Sequence, residues 1–380
     1  MRITGPWIDA PETQGVCAAL TGAGAQALFV GGCVRNALLG AAVNDIDIAT
    51  DAQPETVVRL CEAAGFRVVP TGIEHGTVTV VAKGVPHEVT TFRRDVETDG
   101  RRATVAFSTD VAEDAARRDF TMNALYAAPD GVVIDPLGGL PDLLARRLRF
   151  VGEPEQRIRE DYLRILRFFR FHAWYGDPAQ GIDTDGLAAC AVLAEGLEML
   201  SAERVGAEMR KLLAAPDPAP SVAAMAQTGI LQRVLPGADP TALAPLVHLE
   251  AGISPRWMRR LAVLGGEAVD DRWRLSRAES RDLALLLPAV REGGSAAVLG
   301  YRLKALAADA ILARAAMLGH PPGPGWQAEV ARGAAAVMPV RPADLMPQYQ
   351  GAELGARLKA IEARWLQSDL RLDRTALLSP

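Results

Sequence analysis

Two aspartates separated by one apolar residue, Asp45-Ile46-Asp47, follow a Gly31-Gly32 pair in the stretch LFVGGCVRNALLGAAVNDIDIAT. In a strand, alternate side chains share a face, so Asp45 and Asp47 point one way while Ile46 and Ile48 point into a core. Two carboxylates on one face repel unless a cation lies between them. Mg²⁺, a hard cation held by one or two carboxylates plus substrate phosphates, suits that role. The glycines let a backbone turn approach a triphosphate with no Cβ in the way. Together they imply attack of a hydroxyl on the α-phosphorus of a nucleoside triphosphate with release of pyrophosphate. In such chemistry one metal activates the attacking oxygen and the other steadies the departing phosphates. Acid pairs of this kind occur by chance in many strands, so the pattern is specific only with the glycines.

Other residues extend the pattern. A third carboxylate is expected from Glu88 in HEVTTF, which can lie beside the strand carrying the acid pair; the alternative is a solvent-facing strand residue. Arg35, one helical turn past the glycines, can fork onto β- and γ-phosphate oxygens, or sit on a helix surface. Between Phe92 and Phe107 the charged, glycine-containing RRDVETDGRRAT reads as a mobile flap. Arg118-Asp119 then offers a cation for phosphate and a carboxylate for ribose hydroxyls, although mixed-charge runs usually sit in water. In EQRIREDYLRILRFFRFHAWY, Asp161, Arg164 and Arg167 recur every three residues and so project from one side of a helix. Acceptors and donors fixed there can read the hydrogen-bonding edge of a base, with Arg167 and Arg170 suited to phosphates. An ion-pair ladder worth a few tenths of a kcal/mol per pair is the structural alternative.

The elements that must position these groups fall into an α/β head and a helical remainder. Up to about residue 135, strands at 27–30, 45–49, 66–69, 77–82 and 87–91 alternate with helices near 35–39 and 54–64. The second helix is expected to start with Asp51 as its cap and close at Gly65. One continuous helix is expected over 155–174. Ser201 should start another, with Val205, Met209 and Leu212 along one stripe, and Ser276 with Glu279 forms a capping box. The Pro-rich PDPAP at 216–220 and HPPGPG at 320–325 mark joints. The resulting division is a head over 1–135, a neck over 136–200, a body over 201–320 and a tail over 321–380.

Composition narrows the class. A chain of 380 residues with 49% hydrophobic residues can bury a large core in more than one domain. Four scattered cysteines without a CxxC pair and five histidines signal neither zinc nor disulfides, which suits a reducing cytoplasmic setting. No apolar run is long enough for a membrane span and MRITGPWIDAPE is no signal peptide. A net charge of −5 confines any nucleic-acid contact to a local region, with Arg259, Arg260, Arg272, Arg274 and Arg277 as candidates.

In their order over roughly residues 27–175, these motifs resemble those of class II CCA-adding tRNA nucleotidyltransferases, with bacterial poly(A) polymerases as near relatives. SAERVGAEMRKLL at 201–213 resembles that family's body segment. The resemblance implies an α+β fold: a polymerase-β-like nucleotidyltransferase head followed by an all-α neck, body and tail that hold the acceptor end of tRNA. It further implies Mg²⁺ on Asp45 and Asp47, and the triphosphate on Gly31, Gly32 and Arg35. Arg118 and Asp119 would form the sugar-and-phosphate motif, and residues 93–104 the flexible loop. Asp161 and Arg164 would be a protein template that pairs first with CTP and then with ATP, assisted by Arg167 and Arg170. No obligate protein partner is expected. The family commonly has VRD where this chain has Val34-Arg35-Asn36, and no His-Asp doublet suggests a phosphohydrolase domain. Alternatives are a poly(A) polymerase, a partial CC- or A-adding enzyme, a catalytically silent RNA-binding protein and a small-molecule nucleotidyltransferase.

Overall fold

Leu28-Phe29-Val30 is an all-buried apolar run, and it forms a central strand of the sheet that carries the chemistry. The computed structural model describes residues 1–98 and 103–379. Seven strands, β1 (Leu28–Val30), β2 (Ile46–Thr50), β3 (Arg67–Gly72), β4 (Thr77–Ala82), β5 (Val85–Thr91), β8 (Tyr126–Ala127) and β9 (Val133–Ile134), pair in the order β3-β4-β5-β2-β1-β8-β9. The β2–β5 pair is parallel and the other pairs are antiparallel.

Alternation of side chains gives this sheet two unlike faces. Ile48, Val78, Val80, His87 and Val89 lie on one face, fully buried, against the helices Pro11–Thr21 and Pro54–Ala63. His87 Nε2 and Thr13 Oγ1 sit 3.0 Å apart there, which satisfies both polar groups away from water. The other face carries Asp47 and Glu88. Five β-strands of the head and both helix positions fall where periodicity put them. Two details differ. Asp45 lies just before β2 rather than in it, and Asp51 does not cap the Pro54–Ala63 helix. The Asp51 carboxylate is drawn instead to Gln26, accepting from its backbone N–H at 2.7 Å and its side chain at 3.2 Å.

The expected flap between Phe92 and Phe107 is a correction. Arg93–Thr98 (β6) and Ala103–Phe107 (β7) pair as a two-stranded antiparallel ribbon, and the intervening residues of that segment lie outside the described ones. Val96, Thr98, Thr104 and Val105 are strand formers in a segment whose charges drew the reading toward loop. The ribbon is rooted at Phe92, buried in the core cluster of Leu28, Val30, Ala49 and Tyr126. At its base the Phe107 ring lies over Gly76, where a Cβ would come within 2.8 Å of Cε1. Arg93 Nη1 donates to His75 O at 2.8 Å.

The helix expected over 155–174 is broken in two. Pro154–Glu160 ends at Asp161, whose extended backbone (φ −154, ψ 106) interrupts it, and Leu163–Tyr175 begins directly after. Asp161 turns from an interior residue into a cap: its Oδ1 accepts from the Leu163 N–H at 3.0 Å, and its carbonyl accepts from Arg164 N at 2.9 Å. Tyr162 fits a slot left by Gly196, where a Cβ would lie 1.9 Å from the ring. Asp161, Arg164 and Arg167 are therefore not successive rungs of one helix.

Contact density divides the chain into two compact units, residues 1–200 with 228–230, and residues 201–227 with 231–380. The second unit is helical throughout. Ser201 caps Ala202–Leu213 and the Ser276–Glu279 capping box forms in both directions. The tail boundary expected at 321 cuts through a tight helix pair, Ala296–Leu303 against Trp326–Ala335. Gly300 and Gly333 allow that approach, since a Cβ would fall 2.3 Å from Val330 O and 1.8 Å from Ala297 O. No helix among the described residues is long and apolar enough to cross a membrane.

Arg259 and Arg260, candidate phosphate contacts by sequence, are instead only 1% exposed. Glu250 bridges them, accepting from Arg259 Nε at 2.6 Å and Arg260 Nε at 2.9 Å. Arg260 also donates to the carbonyls of Leu213, Ala215 and Pro216, the unsatisfied C-terminal groups of the Ala202–Leu213 helix and the Pro-rich joint after it. Arg259 Nη1 reaches Asp309 at 3.1 Å. Glu250→Ala leaves two buried guanidiniums short of a counter-charge and is expected to destabilise the protein by about 3–5 kcal/mol, read as a lowered denaturant midpoint; an unchanged midpoint contradicts the structural role.

Candidate active site

Gly31 ends β1 with φ 68 and ψ −117, a left-handed conformation that a side chain would strain, and the chain turns there into the helix Gly32–Leu38. A Cβ on Gly31 would sit 3.4 Å from Arg118 Nη1, and one on Gly32 3.9 Å from Arg35 Nη2. Both arginines therefore close on the glycine turn from the protein side. Across the sheet, β2 and β5 run parallel with Asp47 opposite Glu88. Asp47 is half-buried, while Asp45 and Glu88 are exposed.

Burial, then Glu88 and Asp45, push the Asp47 carboxyl up to about 6, against the opposing pull of Arg118 and Arg35. Desolvation and the two neighbouring acids thus outweigh the two arginines at Asp47. All the nearby donors are carboxylate oxygens, which fit a hard divalent cation. Among the described residues no three His, Cys, Asp or Glu side chains form a ready-made cage. Cys33, beside the turn, is no nucleophile: burial pushes its thiol up to about 11.

Arg118 is held by Asp114, a buried carboxylate that accepts from Arg118 Nη2 at 2.9 Å, Tyr126 Oη at 2.7 Å and the Arg93 backbone N–H at 3.2 Å. Burial opposes charge on both partners, but their mutual attraction and Tyr126 outweigh it, keeping Asp114 below and Arg118 above their ordinary ranges. The same carboxylate therefore aims Arg118 at Gly31 and anchors the root of the ribbon.

Arg35 is neither a surface residue nor turned outward. It is 7% exposed, donates to Asn36 Oδ1 through Nε at 3.2 Å and Nη2 at 3.0 Å, to Tyr175 Oη at 2.8 Å, and to Asn123 Oδ1. Asn36 ties this group to the following loop by donating to Ala42 O at 2.9 Å. Asp119 likewise engages both oxygens within the protein, Oδ1 with Asn123 at 2.9 Å and the Phe120 N–H at 2.8 Å, Oδ2 with Arg167 Nε at 2.7 Å. Those cations and amides outweigh burial and hold Asp119 below the usual carboxylate range. Arg170 lies 4.4 Å over the Phe171 ring. Arg164 is turned to Glu160 Oε2 at 2.6 Å and to Arg117 O at 3.0 Å. The sequence reading missed Asp114, Asn123, Tyr126, Glu160 and Tyr175, whose polar atoms are made important only by what folds against them.

The comparisons decide the family. A profile described as "Poly A polymerase head domain" matches residues 27–149, and one described as "Probable RNA and SrmB- binding site of polymerase A" matches 181–241. The mitochondrial CCA tRNA nucleotidyltransferase 1 of Mus musculus is 33% identical over 370 residues, covering 92% of this chain and 85% of that protein. The chain belongs to the CCA-adding tRNA nucleotidyltransferase family. The crystal structure of the Bacillus stearothermophilus CCA-adding enzyme in complex with CTP is 31% identical and aligns with a TM-score of 0.75 over 96% of this chain and 94% of that one. The Thermotoga maritima CCA-adding enzyme, 20% identical, shares the fold with a TM-score of 0.67 over 96% and 92% of the two chains.

The burial of Asp47 beside Glu88 and Asp45 has a signed consequence. Its folded carboxyl titrates at about 6, above the ordinary value of about 4. Ionised Asp47 therefore costs stability above that window, and the cost vanishes below the unfolded value. In chelator, Asp47→Asn is expected to raise the melting temperature at pH 7.5 and to lose that gain as the pH falls from about 6 to below about 4. A gain that is equal at both ends of this range contradicts the electrostatic account.

Proposed function

We propose that this protein builds or repairs the 3′-terminal CCA of tRNA, transferring CMP, CMP and AMP from CTP and ATP without a nucleic-acid template and releasing pyrophosphate. The observation that carries the reading is the placing of Asp47 beside Glu88 in the same sheet as a glycine turn closed by Arg118 and Arg35. Family membership across most of the chain supports it. Asp45 and Asp47 would hold Mg²⁺, with Glu88 adjacent, and the ion would supply charge neutralisation for the triphosphate and lower the pKa of the RNA terminal hydroxyl. Gly31 and Gly32 admit the phosphates to the backbone. Arg118 supplies positive charge there, while Asp119 acts by fixing Arg167 and Asn123. The four buried cysteines support a reducing, cytoplasmic setting.

Base choice falls to Asp161 and Arg164. Cytosine and adenine each present an exocyclic amino donor beside an acceptor ring nitrogen, whereas uracil and guanine present a carbonyl beside an N–H. A carboxylate that accepts and a guanidinium that donates match the first pair of edges and oppose the second. Arg164 exchanges its Glu160 contact for the base as the nucleotide enters. The head over 1–135, the neck over 136–200 and the helical body and tail divide the labour, with the later segments holding the acceptor end of tRNA.

The decisive assay offers tRNA lacking its CCA end with CTP and ATP and sequences the products. Addition of C, C and A and then arrest is expected; a growing run of A instead establishes poly(A) synthesis. Asp45→Ala should reduce incorporation of every nucleotide by about a hundredfold or more, since even partners one shell further from a metal are worth 10–100-fold. Asp161→Ala or Arg164→Ala should leave incorporation but narrow the preference for CTP and ATP over UTP; an unchanged preference rejects the base-reading role.

A further inference from the structure

Tyr175, the last residue of the Leu163–Tyr175 helix, holds Arg35 in two ways. Its hydroxyl accepts from Arg35 Nη2 at 2.8 Å, and its ring lies 4.1 Å from the guanidinium carbon. From Arg35 a string of polar contacts runs through Asn123 and Asp119 to Arg167, which belongs to the same helix. The helix therefore grips both ends of a string that passes beneath the glycine turn. Eight residues at a helical rise of about 1.5 Å separate the two grips by about 12 Å. One attachment would leave the helix free to pivot, whereas two attachments so spaced fix its angle.

We propose that Tyr175 is a positioning residue that couples the base-reading end of this helix to the triphosphate turn by way of Arg35. The inference rests on the nucleotidyl-transfer reading above. Removing the Tyr175 hydroxyl leaves one grip with the ring contact alone and keeps the Arg167–Asp119 grip in place. A bound nucleotide then finds its base-reading residues and its phosphate turn no longer held at a fixed spacing. Hydrogen bonds to charged groups carry enough energy for about a tenfold change in binding or more.

The test uses the full chain with tRNA lacking its CCA end. In Tyr175→Phe, which keeps the ring and its stacking, the KM for CTP and for ATP is expected to rise about tenfold while the KM for tRNA stays the same. CTP affinity measured by equilibrium titration should fall in parallel, which does not depend on turnover. Tyr175→Phe and Asn123→Ala act on the same guanidinium, so their effects on nucleotide KM should combine to clearly less than the product of the two. An unchanged nucleotide KM, or effects that simply multiply, overturns the coupling. Should Tyr175→Phe lower the melting temperature, Tyr175→Trp, which restores the aromatic bulk without the acceptor, must show the same rise in nucleotide KM, and its absence also overturns it. Lack of CCA addition by the unmodified protein instead overturns the functional reading.

Discussion

A guanidinium withdrawn from water must be met on nearly all its donors, and this requirement organises the head more strictly than apolar packing does. Arg35 is surrounded by Asn36, Asn123, Tyr175 and the face of Phe171. Satisfying it demands that the helix after the glycine turn, the Thr121–Asn123 segment and the Leu163–Tyr175 helix converge at one place. Burial alone lowers the affinity of Arg35 for its proton, and Tyr175 and Asp119 counter that pull. An apolar contact tolerates sliding, because dispersion has little directional preference. A forked donor among oxygen acceptors does not.

The second unit applies the same constraint to a different end. Glu250, Arg259, Arg260 and Asp309 are buried with almost no exposure. Burial raises the Asp309 carboxyl even though Arg256 and Arg259 oppose the rise, so desolvation outweighs the ion pairs at this residue. Its value is geometric. Arg260 reaches three carbonyls at the end of the Ala202–Leu213 helix, where the Pro-rich joint supplies few backbone donors of its own. The arginine terminates the helix and fixes the direction of the chain after it.

What the sequence reveals follows from how local the cause is. The glycine turn, the Ser201 cap and the Ser276–Glu279 box depend on neighbours within a few residues, and all were legible. Glu88 could be placed beside the acid pair because strand content and alternation were clear, and the structure sets it opposite Asp47. Arg259 and Arg260 have the appearance of exposed basic residues, and their partners at Glu250 and Asp309 are visible only in three dimensions. The break at Asp161 escaped for a subtler reason. Asp is a poor helix interior residue and a strong cap, but an apolar period that continues through Ile158, Ile165 and Phe169 masks a one-residue interruption. The β6–β7 ribbon was obscured by composition, since charge was weighed above the β-branched residues between the charges.

The distribution of charge at the head has a direction that follows from the same contacts. Acids stand on one side of the glycine turn, on β2 and β5, while Arg118 and Arg35 close on the turn itself. The two arginines both act to lower the Asp47 pKa, and yet burial, with Glu88 and Asp45, keeps the carboxyl raised. A triphosphate with its divalent ion is a ligand of matching polarity, with dense negative charge along the phosphates and positive charge at the metal. On the proposed function, such a ligand bound with its α-phosphorus toward the acids and its outer phosphates toward the glycine turn would neutralise both sides at once. The reverse orientation would set the outer phosphates against Asp45, Asp47 and Glu88 and leave the arginines without a counter-charge. On the function proposed above, the former orientation would let an incoming RNA hydroxyl meet the α-phosphorus opposite the leaving pyrophosphate.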